Sequence, residues 1–214
     1  MPMDRVSAGI QNAVTKLGSD LGDFENAADA ILTTDKSRKA GCRKAVLNGQ
    51  TVRIAAMTKG AGMIAPNMAT MLAVVMTDAV LDPQQSQRIL RNVAAKSFNC
   101  VSVDGHTSTN DTLLLLSSGQ DAPLTGDALD QFADALTETS IGLAKQIVAD
   151  GEGAKHFFEV SVQGARDDRA ADRIAKTMTD SPLVKTAITG GDPNWGRIVS
   201  AAGYAEEAIE PEQT

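Results

Sequence analysis

Lys59-Gly60-Ala61-Gly62-Met63-Ile64-Ala65-Pro66-Asn67-Met68-Ala69-Thr70, followed at once by Met71-Leu72-Ala73-Val74-Val75-Met76, decides how this chain is organised. The glycines, the proline and the asparagine make the first stretch a loop rather than a helix. The second is a continuous apolar run bounded by turn signals, which predicts a buried strand. Thr51 to Met57, just upstream, predicts another strand.

Working outward, helical and extended patterns interleave. Residues 3–17 predict a helix with Val6, Ile10, Val14 and Leu17 on one face. A second short helix ends near Leu32, with Gly22-Asp23 separating the two, and the polar Thr33–Lys39 stretch predicts a loop. After the central strand, Asp82-Pro83-Gln84-Gln85 opens a helix: Asp82 caps it, Pro83 suits its first turn, and Gln85 can close a capping box. Cys100–Val103 and Leu113–Leu116 predict strands around the dense polar loop Asp104–Thr112. Asp127–Asp150 is the longest predicted helix, with Leu129, Phe132, Leu136, Leu143 and Ile147 at helical spacing. Phe157–Val162 predicts a strand and Arg169–Met178 a helix, while Gly190–Asn194 is a breaker before Trp195. The order is not a strict alternation, so the expected class is α/β with helices layered on sheet, not a doubly wound fold.

Composition narrows the function. The 214 residues carry a net charge of −7, and such a chain repels phosphate backbones, so no nucleic-acid partner is expected. No apolar run is long enough to span a bilayer, and the start lacks a signal-peptide core, so a cytoplasmic protein with no membrane partner is expected. Cys42 and Cys100, like His106 and His156, are too scattered for a disulfide framework or a metal site. Gly151–Lys155 lacks the spacing of a phosphate loop, and Gly60-Ala61-Gly62 lacks a dinucleotide fingerprint.

Thr70 is the candidate nucleophile. A threonine at a strand start ordinarily just packs. Its chemistry changes if the Ala69–Thr70 bond breaks. The freed α-amine titrates near roughly pH 7.7–8.0 and becomes a base beside its own hydroxyl.

The segment Lys59–Leu72 resembles the self-cleavage motif of the ornithine acetyltransferase (glutamate N-acetyltransferase) family. The resemblance runs through nearly the whole chain. It includes Thr33-Thr34-Asp35, Ser108-Thr109-Asn110-Asp111-Thr112, Asp150-Gly151-Glu152-Gly153-Ala154 and Asp192-Pro193-Asn194-Trp195-Gly196-Arg197. It implies a layered α/β sandwich of the ornithine acetyltransferase/DmpA-like type. It also implies cleavage between Ala69 and Thr70 into an alpha chain ending at residue 69 and a beta chain from 70, expected to assemble as a heterotetramer. Thr70 then carries an acetyl group from N-acetylornithine to glutamate. No cofactor is implied, although some members take acetyl-coenzyme A as co-substrate. Thr33, Lys59 and Glu152 match substrate-binding positions, with Thr34 adjacent to the first. Lys59 suits a substrate carboxylate and Glu152 an amino group. The Ser108–Thr112 and Asp192–Arg197 blocks are read as structural.

Family members extend further at both ends. Their Thr-Gly oxyanion pair falls just before Met1, and their C-terminal Asn and Thr/Ser pocket residues fall beyond Thr214. His106 stands where an aspartate is usual, and Gly190-Gly191 precedes Asp192. The alternatives are an amidohydrolase using the same threonine, or an inactive truncated homologue.

Overall fold

In the computed structural model, residues 2–65, 71–119 and 122–208 are described. Two helices, α1 (Met3–Val14) and α2 (Leu21–Ala30), precede the strands β1 (Lys39–Leu47), β2 (Gln50–Lys59) and β3 (Leu72–Thr77). After β3 come α3 (Pro83–Lys96), a 3-10 turn at Phe98–Cys100, β4 (Thr112–Ser117) and α4 (Gly126–Ala149). Three helices follow: α5 (Asp168–Asp180), α6 (Pro182–Thr189) and α7 (Trp195–Gly203).

The strands form one sheet in the order β1-β2-β3-β4. The first three are antiparallel, and the return through α3 makes β3 and β4 parallel. Such a crossover needs a dozen or more residues, which α3 supplies. Register places Ile54 opposite Thr77, Ala56 opposite Val75, and Val75 opposite Leu115. That row faces α3 and α4, where Phe132, Leu136, Leu143 and Ile147 complete a core with Ile54, Val75 and Val93. Each fully buried side chain of this size stabilises by about 1.5–3 kcal/mol.

The alternate row behaves differently. Leu72, Leu114 and Leu116 remain 38–51 % exposed. The central apolar run is therefore covered on one face and half-open on the other, not buried throughout as predicted.

Several predicted boundaries change for local reasons. Gly22-Asp23 lies inside α2, because Asp20 accepts the Asp23 N–H while the Asp23 carboxylate accepts the Asp20 N–H, a reciprocal cap. α1 ends at Val14 and buries none of its residues, leaving Ile10, Val14 and Leu17 exposed. Asp82 caps α3 through the Gln84 and Gln85 N–H groups, but Gln85 does not close a box. Cys100–Val103 and Phe157–Val162 are not strands, because neither finds a strand partner among the described residues. β1, α6 and α7 were not predicted.

Candidate functional site at one end of the sheet

β2 ends where β1, β3 and β4 begin. Lys39 lies opposite Thr58, Lys59 opposite Leu72, and Leu72 opposite Thr112. The predicted substrate-binding residues Thr33, Lys59 and Glu152 belong to segments that meet at this end. Ala69 and Thr70 lie outside the described residues, and Met71, the next residue, stands immediately before β3 there.

A buried ion cluster joins the segments. Lys39 is fully buried, and its Nζ lies 2.6 Å from Asp35 Oδ1 and 2.5 Å from Asp150 Oδ2. Asp35 also accepts the Gly60 N–H at 2.7 Å and the Thr33 N–H at 3.2 Å. Asp150 accepts the Lys36 and Ser37 N–H groups at 2.9 and 3.4 Å. One lysine therefore fastens the Thr33 loop, the Lys59-Gly60 corner and the end of α4 together. Burial alone would raise both carboxyl pKa values, but the hydrogen bonds from Lys39 and the backbone outweigh it, so both fall below the ordinary aspartate value. A charge taken from water is held only when such partners satisfy it.

The glycine loop is pinned along its length. Gly60 has φ 149°, in the region that disfavours side chains. A Cβ on Gly62 would come within 2.7 Å of the Glu152 carboxylate, so any side chain here would push that flexible carboxylate aside. The Glu152 N–H donates to the Ala61 carbonyl at 2.6 Å, which fixes Glu152 beside the loop. Further on, the Asp104 carboxylate accepts the Met63 and Ile64 N–H groups, while the Ile64 carbonyl accepts the Val103 N–H. Met63 takes a left-handed φ of 56°, so these bonds hold a local conformation that costs energy.

Lys59 is only 8 % exposed. Its ammonium and the Glu152 carboxylate enter no ion pair among the described residues. A buried lysine suits a carboxylate, and an acid across a glycine loop suits an amine. Thr33 is exposed, and the structure fixes its backbone rather than its hydroxyl.

The sequence reading missed the roles of Asp35, Lys39, Asp104 and Asp150, which hold the site. Asp111, in a block read as structural, accepts the Met71 N–H at 2.8 Å, and the Met71 carbonyl accepts the Thr112 N–H at 3.0 Å. Burial raises the Asp111 carboxyl above the ordinary aspartate value, against the Met71 N–H and the Lys59 cation, which pull it down. Among the described residues no cluster of three or more His, Cys, Asp or Glu residues could hold a metal ion, and no helix is long and apolar enough to cross a membrane.

The structure is thus an α/β protein whose helix-backed mixed sheet carries a buried lysine, a glutamate and a glycine loop at one end. The chain belongs to the ArgJ family, whose model matches residues 1–214. It is 58 % identical to the arginine biosynthesis bifunctional protein ArgJ of Rhodopirellula baltica, covering all of this chain and 53 % of that protein. It is 48 % identical to glutamate N-acetyltransferase of Methanocaldococcus jannaschii, covering 94 % of this chain and 50 % of that one. A crystal structure of ArgJ from Bacillus halodurans superimposes with a TM-score of 0.58 at 40 % identity, over 63 % of this chain and 65 % of that one. The chain spans about half the length of the curated relatives it matches.

Proposed function

We propose that the protein containing this chain is a glutamate N-acetyltransferase of arginine biosynthesis. It cleaves itself between Ala69 and Thr70, and the freed Thr70 carries an acetyl group from N-acetylornithine to glutamate. The observation that supports this best is the match of residues 1–214 to the ArgJ family, with the Lys59 and Glu152 segments meeting beside the start of β3.

The chemistry follows from the groups at this end. The Thr70 α-amine takes the hydroxyl proton as Oγ attacks the acetyl carbon, and the amide bond to ornithine breaks. Ornithine leaves with that proton. The α-amine of glutamate then attacks the acetyl ester, forming N-acetylglutamate and restoring the hydroxyl. Lys59 binds the α-carboxylate of either amino acid. Glu152 meets the side-chain ammonium of ornithine. Thr33 contributes from the loop that Asp35 holds. The transfer through Thr70 needs no bound cofactor. Residues up to 69 and from 70 onward remain together as alpha and beta chains, assembled as a heterotetramer in the cytoplasm.

Intact mass measurement of the full-length protein and of its Thr70→Ala variant tests the reading. Two fragments from the first and one chain from the second are expected. A single uncut wild-type chain contradicts it.

A further inference from the structure

Asp111 is a buried carboxylate that the transfer chemistry above does not use. It is 8 % exposed and stands immediately before β4. Its Oδ1 accepts the Met71 N–H at 2.8 Å. Its Oδ2 is buried and has no hydrogen-bond partner among the described residues. Buried polar atoms are paired as a rule, so an unpaired one marks a group placed for something besides stability. Asp111 also lines a cavity of about 330 Å³ with Ile64, Met71 and Arg91.

The covalent chain places this oxygen. The Met71 nitrogen is bonded to the carbonyl carbon of Thr70. Standard bond lengths keep the hydroxyl and the amide nitrogen of Thr70 within about 5 Å of that nitrogen, whatever the torsions. The carboxylate that accepts the Met71 N–H is therefore held on the peptide unit that directly follows the Thr70 side chain in the chain. In the uncut chain the nitrogen of Thr70 is still an amide and cannot serve as the base that the α-amine later provides.

The geometry points to Asp111 as the base of self-cleavage, an inference that rests on Thr70 being the cleavage residue. Asp111 Oδ2 takes the Thr70 hydroxyl proton as Oγ bonds to the carbonyl carbon of Ala69. The same proton passes to the Thr70 nitrogen as the Ala69–Thr70 C–N bond breaks. The product is an ester between Ala69 and the Thr70 oxygen. Water hydrolyses it to the Ala69 carboxylate and a free hydroxyl, and Asp111 is again a carboxylate. After cleavage the α-amine takes over as base. Asp111 thus acts once per molecule, before turnover begins.

The test compares full-length wild type with Asp111→Asn and Asp111→Gly. The cut fraction is followed by intact mass, the fold by circular dichroism. Asparagine keeps an acceptor for the Met71 N–H and removes only the base. A general base contributes about 100-fold or more, so Asp111→Asn is expected to fold and to cleave at least that much more slowly. Added formate is expected to restore cleavage in Asp111→Gly, a rescue that a purely structural residue would not show. Asp111→Asn cutting within about threefold of wild type, beneath the 100-fold floor for a base, overturns the inference alone. So does a folded Asp111→Gly that ignores formate, or the failure of both variants to fold. An uncut wild type overturns this inference together with the Thr70 reading.

Discussion

The sheet with α3 and α4 and the terminal helices α5–α7 are built by different means. In the first region one core runs from Ile54 and Val75 through Phe132, Leu136 and Ile147, all at most 1 % exposed. In the second, Ile174, Ala202 and Ala205 form a small cluster with Val162, Ala165 and Met178 at its edge. Trp195 and Tyr204 stand 76 and 80 % exposed. Caps and surface contacts make up part of the difference there. Asp167, Ser181 and Asn194 cap the three helices, and Arg166 and Arg173 reach Glu207. Lys185 joins the helices to the sheet region through the Val103 carbonyl at 2.9 Å. The comparison teaches that the site's precision comes from the first region, where charges are held against a dry core, and owes little to the second.

The largest expected effects lie in the sheet region. Lys39→Met leaves Asp35 and Asp150 buried without their cation and is expected to cost about 3–5 kcal/mol in urea melts. Phe132→Ala opens a cavity in the continuous core at a similar cost of about 3–5 kcal/mol. If Lys39→Met costs no more than a surface change, the ion cluster does not organise the site. In the terminal helices, Ile174→Ala belongs at the low end for its type, about 2 kcal/mol, because its surroundings are thin. Asp167→Ala, which removes the cap of α5, is expected to cost about 1 kcal/mol. Trp195→Ala is expected to stay within about 0.5 kcal/mol, since it is mostly solvated. A loss at Trp195 as large as at Phe132 would erase the contrast.

Acid acts with opposite signs on the carboxyls of the sheet region. Asp35 and Asp150 have folded pKa values below their ordinary 3.8. The unfolded state therefore takes up protons first as pH falls. Their contribution is complete above pH 3.8 and is lost as pH drops through the folded values. Asp111, whose folded value is raised, works in the opposite direction: its ionisation opposes folding above that value. Melting curves from neutral pH downward are expected to show a steeper acid loss in wild type than in Lys39→Met, which no longer holds the two carboxyls low.

Much of the sheet region was legible in the sequence because local signals agreed with tertiary packing there. Asp82-Pro83 marked the start of α3, the apolar run marked β3, and helical spacing marked α4 to within a residue. β1 was missed because Arg43 and Lys44 interrupt its apolar pattern and it starts on Lys39, the end of a polar stretch. The alternation in Phe157–Val162 is real, but alternation makes a strand only when a neighbouring strand accepts its hydrogen bonds. α6 and α7 are short, and their caps, Ser181 and Asn194, sit among Pro and Gly residues that read as breakers.

The site divided along the same line. Lys59 and Glu152 were singled out through a motif, and the structure brings their segments together. The carboxylates that hold those segments were not found. Lys39 and Asp150 are 111 positions apart, and each looks like a solvated charge until the fold removes the water around it.

The most direct test follows one acetyl group. Full-length protein is mixed with N-acetylornithine in the absence of glutamate, quenched in acid and mapped by peptide mass spectrometry. The account predicts a peptide that begins at Thr70, with Met71 and Leu72 next, carrying one acetyl group that glutamate removes. A peptide running unbroken through Ala69 and Thr70, or a cut Thr70 that never gains the acetyl, would contradict it.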